Sequence, residues 1–358
     1  MKTIVNDWNG WFTKRIDSIN RHPYGKVILP TLVILLFAGV PVVIRNNYWI
    51  RVLDSAGIYV MMALGINVIL GYTGLLNLGY AAYFAIGAYM WAILGSPHFD
   101  IHWNFWVVFF LAGLAAGIAG YLLAIPGLGL KGDYLALVTI GFGESIRILA
   151  NNLSFTNAAM GISQIDPMTI GPLKASTVQH YYYVLLAVCV IEVILMRRLE
   201  NSRIGNAWMA VREDELAAES MGLDTRNLKL LACFIGAVPA GMAGVMFAAM
   251  QTYVSPVSFK FIESITVVAM VIVGGRANVY GAVLGALLLV VVPEPLRGSV
   301  FDSARILIYG LLLIVMMIFK PQGFWPRRYR GQRRLGVAKK GEETSPAYAA
   351  ETQSSARG

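Results

Sequence analysis

Long apolar runs, repeated along the whole chain, constrain its fold more than any other feature. A run of about 18 residues can cross roughly 30 Å of hydrocarbon as a helix. Such runs lie near 27–44, 52–70, 78–95, 105–125, 133–150, 181–198, 229–250, 261–274, 279–293 and 305–319. Lipid offers the backbone no hydrogen bonds, so each span must be helical. The sequence therefore predicts an all-α, polytopic helical membrane protein with about ten transmembrane helices.

The distribution of positive charge predicts the topology of these spans. Lys and Arg concentrate in the cytoplasmic loops of membrane proteins. Ten spans place the N-terminal segment, residues 199–228 and the C-terminal tail on one side, and these segments are rich in Lys and Arg. The loops on the other side hold only Arg45, Arg51, Lys174, Lys260 and Arg297. We therefore expect both termini in the cytoplasm. The net charge of +9 then reflects orientation, not nucleic-acid binding.

Composition divides the chain into three parts. Residues 1–26 are polar, but Trp8, Phe12 and Ile16 recur at helical spacing, which predicts a short interfacial helix. Residues 27–320 form the transmembrane domain, with a cytoplasmic segment at 199–228 and the largest outer loop at 151–180. Residues 321–358 are basic and rich in Ser, Ala, Gly, Lys and Glu, which is typical of a disordered tail.

A polar island, residues 197–229, interrupts the apolar pattern and is too long for a simple linker. Residues 206–221 favour a helix, on which Arg212, Glu215 and Glu219 share a face where opposite charges can pair. Ala217, Ala218 and Met221 add a small apolar surface. Two interpretations remain open: an amphipathic helix on the membrane surface, or a docking helix for a cytosolic partner that drives conformational change.

Three clusters of glycine and polar residues break the spans. Irregular backbone at membrane depth must line a cavity or be buried in protein. Candidates for lining a pathway are Gly71, Thr73, Gly74, Asn77, Gly79, Glu144, Gly274 and Gly275. The alternatives are tight turns and small-residue helix packing for the glycines, and a structural ion pair between Glu144 and Arg147. Similar breaks in both halves suggest an internal repeat.

Several kinds of chemistry have no motif in this sequence. There is no GxxxxGK[ST] loop for nucleotide phosphates, no HExxH and no Cys-x-x-Cys. We predict no catalytic residues, no metal site and no cofactor bound by this chain. Cys189 and Cys233 lie in apolar spans and are expected to be small core residues. The middle of the spans is nearly bare of ionisable groups, with Glu192 as the exception.

Four segments resemble the permease subunits of branched-chain amino acid ABC importers, in particular the LivM-like members. They are GYTGLLNLGYAAYFAIGAY, YLALVTIGFGESIRILANN, SRIGNAWMAVREDELAAESMGLD with the following NLKLLACFIGAVPAGMAGVM, and the pattern from SP near 255 to Pro293-Glu294. The third is similar to the loop by which importer permeases engage their ATPases. The resemblance implies that Ala217, Ala218, Glu219 and Gly222 fall in this coupling segment. Together with Arg212 and Glu215 from the charged face described above, they are our candidates for ATPase coupling.

The same resemblance implies a function and partners. A LivH-like second permease, two cytosolic ATPase subunits that bind ATP and Mg, and a periplasmic or extracellular binding protein are expected in a bacterial inner membrane. The chain itself would be a transport subunit and not an enzyme. Alternatives are a permease for urea or short-chain amides, and an ion-coupled secondary transporter.

Overall fold

The computed structural model describes residues 37–39, 41, 46–96, 103–127, 133–170, 173–174, 177–296, 310 and 323–325. The predicted first and tenth spans, the N-terminal segment 1–26 and the tail 321–358 lie almost wholly outside this set. Expectations for those parts of the chain stay predictions.

Helices dominate the described residues. They are α1 (Asn47–Ile66, continued by a π-helical stretch, Asn67–Tyr72), α2 (Ala81–Leu94), α3 (Phe105–Gly127), α4 (Asp133–Asn152), α5 (Val178–Glu200), α6 (Arg203–Glu213), α7 (Glu215–Ser220), α8 (Thr225–Gln251), α9 (Phe261–Gly274) and α10 (Val279–Val291). Eight of these, α1–α5 and α8–α10, match predicted spans. The all-α prediction is confirmed.

Among the residues that the structure describes, three helices are both long and apolar enough to cross a membrane: Asn47–Tyr72, Phe105–Gly127 and Thr225–Gln251. At about 1.5 Å per residue, a 26-residue helix extends roughly 39 Å. The apolar helices α2, α9 and α10 are shorter. Helices α2 and α9 have 14 residues each, which at about 1.5 Å per residue is shorter than the roughly 30 Å of hydrocarbon.

Helix α8 lies at the centre and packs against α1, α2 and α3. Its glycines make these approaches close: a Cβ on Gly241 would lie 2.5 Å from the Ala112 carbonyl oxygen, and one on Gly236 2.8 Å from that of Gly65. Small residues at helix crossings let backbones touch, which is how helices associate in lipid. The predicted free cysteines, Cys189 and Cys233, are buried here without a disulfide.

Two parts of the chain share one pattern. Helix α1 with its π-helical end, then residues 73–80, then the 14-residue α2 correspond to α8, residues 252–260 and the 14-residue α9. The backbone N–H of Ala81, at the start of α2, donates to Ser264 Oγ near the start of α9 at 2.9 Å. This shared order of elements is a second basis for an internal repeat, which stays a prediction.

The end of the helix bundle opposite the island is closed by short strands from the loop after α4. Strand β1 (Ile162–Ser163) pairs antiparallel with β4 (Tyr253–Val254), and β2 (Thr169–Ile170) pairs with β3 (Leu173–Lys174). The indole N–H of Trp91, near the end of α2, donates to the Asp166 carbonyl at 3.1 Å. This part of the predicted outer loop is thus ordered by backbone pairing and by α2.

Candidate functional site

The polar island folds as two helices instead of the single helix predicted over 206–221. Helix α6 ends at Glu213 because Asp214 has an extended backbone, with φ −155° and ψ 111°. Asp214 Oδ1 then accepts from the Ala217 N–H at 3.0 Å and caps α7. A short acidic side chain at an N-cap competes with continuing the preceding helix. Gly222, at φ +83°, forms the turn after α7.

Trp208 fastens the island to the helices beneath it. Its side chain is fully buried, and its indole N–H donates to the Leu228 carbonyl, at the start of α8, at 2.7 Å. Its ring stacks on that of Tyr72, with centroids 6.3 Å apart and planes 8° apart. Since Tyr72 closes the π-helical end of α1, the island touches two long helices through one residue.

Arg212 makes a second connection to α1. Its guanidinium donates to the Gly71 carbonyl oxygen, a group that the ending helix leaves unpaired. A Cβ on Gly74 would lie 3.1 Å from Arg212 Cγ, so the aliphatic part of the arginine covers that glycine. The pairing of Arg212 with Glu215 and Glu219, expected from their spacing, is therefore wrong.

Each acidic partner is bonded elsewhere. Glu215 forms an ion pair with Lys229, a largely buried lysine at the start of α8. Glu219 accepts from Thr225 Oγ1 at 2.6 Å. Both carboxylates thus tie α7 to α8, because the helix break at Asp214 turns them away from Arg212.

The apolar surface expected from Ala217, Ala218 and Met221 is only partly open to a partner. Ala217 and Met221 are exposed, whereas Ala218 is buried by the chain itself. Leu216 and Met221 are instead 78% and 84% exposed. Sequence reasoning overlooked Leu216 and gave Met221 little weight, although apolar residues in an island of charges are a usable signal.

Residues 73–80 are irregular, as the glycine cluster predicted. Thr73 Oγ1 donates to the Ile69 carbonyl at 2.6 Å, and Asn77 Oδ1 accepts from the Gly79 N–H at 3.0 Å. The Leu78 N–H donates to Thr139 Oγ1 of α4 at 3.1 Å. The segment is therefore held against α4 by its own backbone.

A cavity lies beside this segment. Its polar lining comes from Asn77, Tyr83, Thr139 and Lys229, and its apolar lining includes Ile69 and Leu75. Of the predicted pathway residues, Asn77 lines this cavity. Gly71, Thr73 and Gly74 lie toward the island, so the cluster divides between two environments.

Gly274 and Gly275 serve the crossing of α9 and α10. A Cβ on Gly274 would lie 1.9 Å from the Gly281 carbonyl oxygen, and Gly275 has φ +127°. The turn after them is anchored to α1, since the Ala277 N–H donates to Asn67 Oδ1 at 3.0 Å. Neither glycine lines the cavity, which fits the packing interpretation of this cluster.

Arg276, in the same turn, brings a second guanidinium to the island end. Burial lowers the pKa of Arg276, and the like charge of Arg212 lowers that pKa further. The turn between α9 and α10 therefore lies within electrostatic range of the island.

Glu144 and Arg147 form the predicted ion pair on α4, at 2.7 Å and partly exposed. Gly143, next to Glu144, lies against Gly79: a Cβ there would be 3.1 Å from Gly79 Cα. The pair is thus close to residues 73–80. Its geometry suits both a structural pair and a pathway lining.

Comparison with known proteins identifies the class of this helix bundle. The profile of the permease component of branched-chain amino acid transport systems matches residues 48–318. The chain belongs to this family. It is 40% identical over 342 residues to the high-affinity branched-chain amino acid transport system permease protein LivM of Escherichia coli (strain K12), covering 89% of this chain and 79% of that one.

More distant relatives include both kinds of permease. The probable branched-chain amino acid transport permease protein LivM of Methanocaldococcus jannaschii is 23% identical over 320 residues, covering 76% of this chain and 91% of that one. The permease protein LivH of Escherichia coli (strain K12) is 22% identical over 293 residues, covering 75% and 91%. No solved structure matches the chain. The described helices are thus those of a membrane permease.

Proposed function

We infer that this chain is a permease subunit of an ABC importer and moves branched-chain or related amino acids inward by alternating access. ATP hydrolysis, with its Mg, takes place on two partner ATPase subunits. A second, LivH-like permease and an external binding protein complete the assembly in the bacterial inner membrane. Family membership supports the transport role, and the names of the relatives support the substrate class.

One observation carries the coupling part of this proposal. The island is bonded to the end of α1 through Arg212 and Trp208, and to the start of α8 through Glu215, Glu219 and Trp208. A partner that displaces α6 and α7 would therefore move two membrane-spanning helices. Switches of this kind work because packed interfaces shift between discrete arrangements.

The positive-inside pattern supports an island on the cytoplasmic side, where ATPase subunits would reach it. Residues 27–320 then form the transmembrane domain, and 321–358 a cytoplasmic tail. Arg212, Glu215 and Glu219 position the island, while Leu216 and Met221 face the partner. Asn77, Gly79 and Glu144 remain our candidates for the pathway, since they lie at or next to the cavity beside α4.

The test uses the complete complex, purified and reconstituted in vesicles. Leu216→Asp combined with Met221→Asp should release the ATPase subunits and abolish amino-acid-stimulated ATP hydrolysis. Met160→Asp is the matched control, because Met160 is 79% exposed at the opposite end, and it should retain the ATPase subunits. Normal uptake by the double variant would overturn the coupling assignment.

The substrate class is tested on the native complex. Leucine, isoleucine and valine should stimulate ATP hydrolysis when the binding protein is present. If only urea or short-chain amides stimulate ATP hydrolysis, the amino-acid assignment is wrong and the chain is still an importer permease.

A further inference from the structure

Two carboxyl groups inside the helix bundle have no part in the function proposed above. Asp54 on α1 is 0% exposed, and Glu192 on α5 is 8% exposed. None of their four oxygens has a hydrogen-bond partner among the residues that the structure describes. The sequence pointed to Glu192 only. Asp54 was overlooked because it lies near the start of its span, where contact with water is expected.

The two groups flank one close contact between α1 and α5. A Cβ on Gly57 would lie 2.7 Å from Leu185 Cδ2, and Cys189 Sγ donates to the Gly57 carbonyl at 3.4 Å. Asp54 lies one turn before Gly57 on α1, and Glu192 one turn after Cys189 on α5. Both carboxyls therefore belong to the same helix–helix interface, on either side of its tightest point.

The groups facing these carboxyls make no hydrogen bond to them among the described residues. Arg51, exposed on α1, and Tyr181 and Tyr182 from α5 lie near Asp54. Cys189 on α5 and Tyr80 of α2 lie near Glu192.

Each of these tyrosine hydroxyls already donates to a backbone carbonyl: Tyr80 to Gly236 at 2.8 Å, Tyr181 to Met246 at 2.7 Å and Tyr182 to Phe37 at 2.8 Å. No hydroxyl proton is left over for a carboxylate. A buried carboxylate without a partner is very costly, whereas the neutral acid costs only its unmade hydrogen bonds.

We propose that Asp54 and Glu192 are the proton-binding groups of the α1–α5 interface. Each carboxylate binds one proton from the bulk solution when the helices pack, and returns that proton to the solution when they separate. No other bond changes. The packed arrangement thus holds protons that the separated arrangement does not, so alkaline conditions favour separation. This proton linkage accompanies ATP-driven transport and is not needed for it.

Carboxyl-to-amide variants in the complete complex test the proposal, because Asn and Gln resemble the neutral acids. We expect Asp54→Asn with Glu192→Gln to match native thermal stability in acid. As the pH rises, the native midpoint should fall by several degrees more than that of the variant. The sign follows because the packed state binds more protons than the unfolded state. Glu213→Gln, at an exposed carboxylate, should follow the native profile throughout.

Parallel pH profiles of native and double variant would overturn the proposal. So would a variant that is already unstable in acid, since that would mean that a charged carboxylate is required. If the double variant does not assemble, Asp54→Asn and Glu192→Gln are measured singly. If both single variants are unstable in acid, the carboxyl groups are not neutral in the packed state and the proposal is contradicted.

Labelling by an apolar carbodiimide, read by mass spectrometry, gives a second measurement on the native complex. The reagent adds to protonated carboxyls, so adducts at Asp54 and Glu192 should decline as the pH rises. Adducts that increase with pH would contradict the proposal. Both readouts are independent of uptake, so their outcome does not depend on the substrate or on ATPase docking.

Discussion

The two glycine-rich clusters, 71–79 and 274–285, look alike in sequence but do different things. In the first, glycines release the backbone from helix: Gly74 has φ +75°, and residues 73–80 run irregularly beside a cavity. In the second, Gly274 and Gly285 lie within helices and let α9 and α10 touch. Glycine thus supplies backbone freedom at Gly74 and absence of a side chain at Gly274 and Gly285. Each cluster also holds one glycine of the other kind, Gly79 against the Thr139 carbonyl and Gly275 at φ +127°.

This difference distinguishes a segment that can move, residues 73–80, from a rigid helix crossing, that of α9 and α10. Arg212 of the island donates to the Gly71 carbonyl and covers Gly74, and the Leu78 N–H donates to Thr139 of α4. The α9–α10 crossing has backbone against backbone and little room to shift. We therefore expect substitutions in the second cluster to affect folding, and those in the first to affect coupling.

The largest effect is expected at the α9–α10 crossing. In Gly285→Ala the new Cβ would lie 1.9 Å from the Met270 carbonyl oxygen, and the helices must separate. Overpacking should cost about 3 kcal/mol, seen as loss of folded permease in detergent. Gly141→Ala is the control, since nothing lies within 4 Å of that position. If Gly285→Ala and Gly141→Ala are equally stable, the second cluster is not closely packed and its contrast with the first is wrong.

Arg212→Met should have the next largest effect, on coupling. It removes a charged donor to the Gly71 carbonyl, a bond worth about 2 kcal/mol. Uptake in vesicles should fall several-fold while the folded permease remains. Arg203→Met, at an exposed arginine of the same helix, should transport normally. If uptake by the Arg203 variant falls as far, the loss reflects the change in net charge and not the hydrogen bond from Arg212 to Gly71.

Gly74→Ala should lower stability because alanine disfavours the positive φ of this position. An alanine at φ +75° should cost about 1–2 kcal/mol. Asparagine tolerates this conformation better, so Gly74→Asn should recover part of the loss despite its larger side chain. The measurement is the thermal unfolding midpoint of the two variants. A lower midpoint for the asparagine variant would mean that the space beside Arg212 limits this position more than the backbone conformation does.

The smallest effect is expected for Glu215→Gln. The ion pair with Lys229 is half open to water on the glutamate side, and such pairs contribute about 0.2–1 kcal/mol. The loss should be measurable in thermal unfolding at low salt and shrink as salt is added. Glu213→Gln should show no salt-dependent loss. A loss that is independent of salt would contradict a solvent-screened ion pair.

Local features of the site were predictable where they depend on chain neighbours. The Glu144–Arg147 pair, the irregular backbone after Gly71 and the free cysteines follow from spacing and composition. The partners of Arg212, Glu215 and Glu219 did not follow, because their spacing fits an unbroken helix and Asp214 breaks it. Burial of Ala218 and exposure of Leu216 were equally hidden, since they depend on how α7 lies against α8.

The sequence by itself determined the class of this protein: apolar length forces helices, charge asymmetry predicts their direction, and the island marks a segment outside the membrane. Only the tertiary structure decided which glycines pack and which release the backbone. It also decided which ionisable groups find partners and that Asp54 and Glu192 find none. The reason is physical, because periodicity and composition act along the chain, whereas burial and hydrogen bonding depend on residues brought together from distant positions.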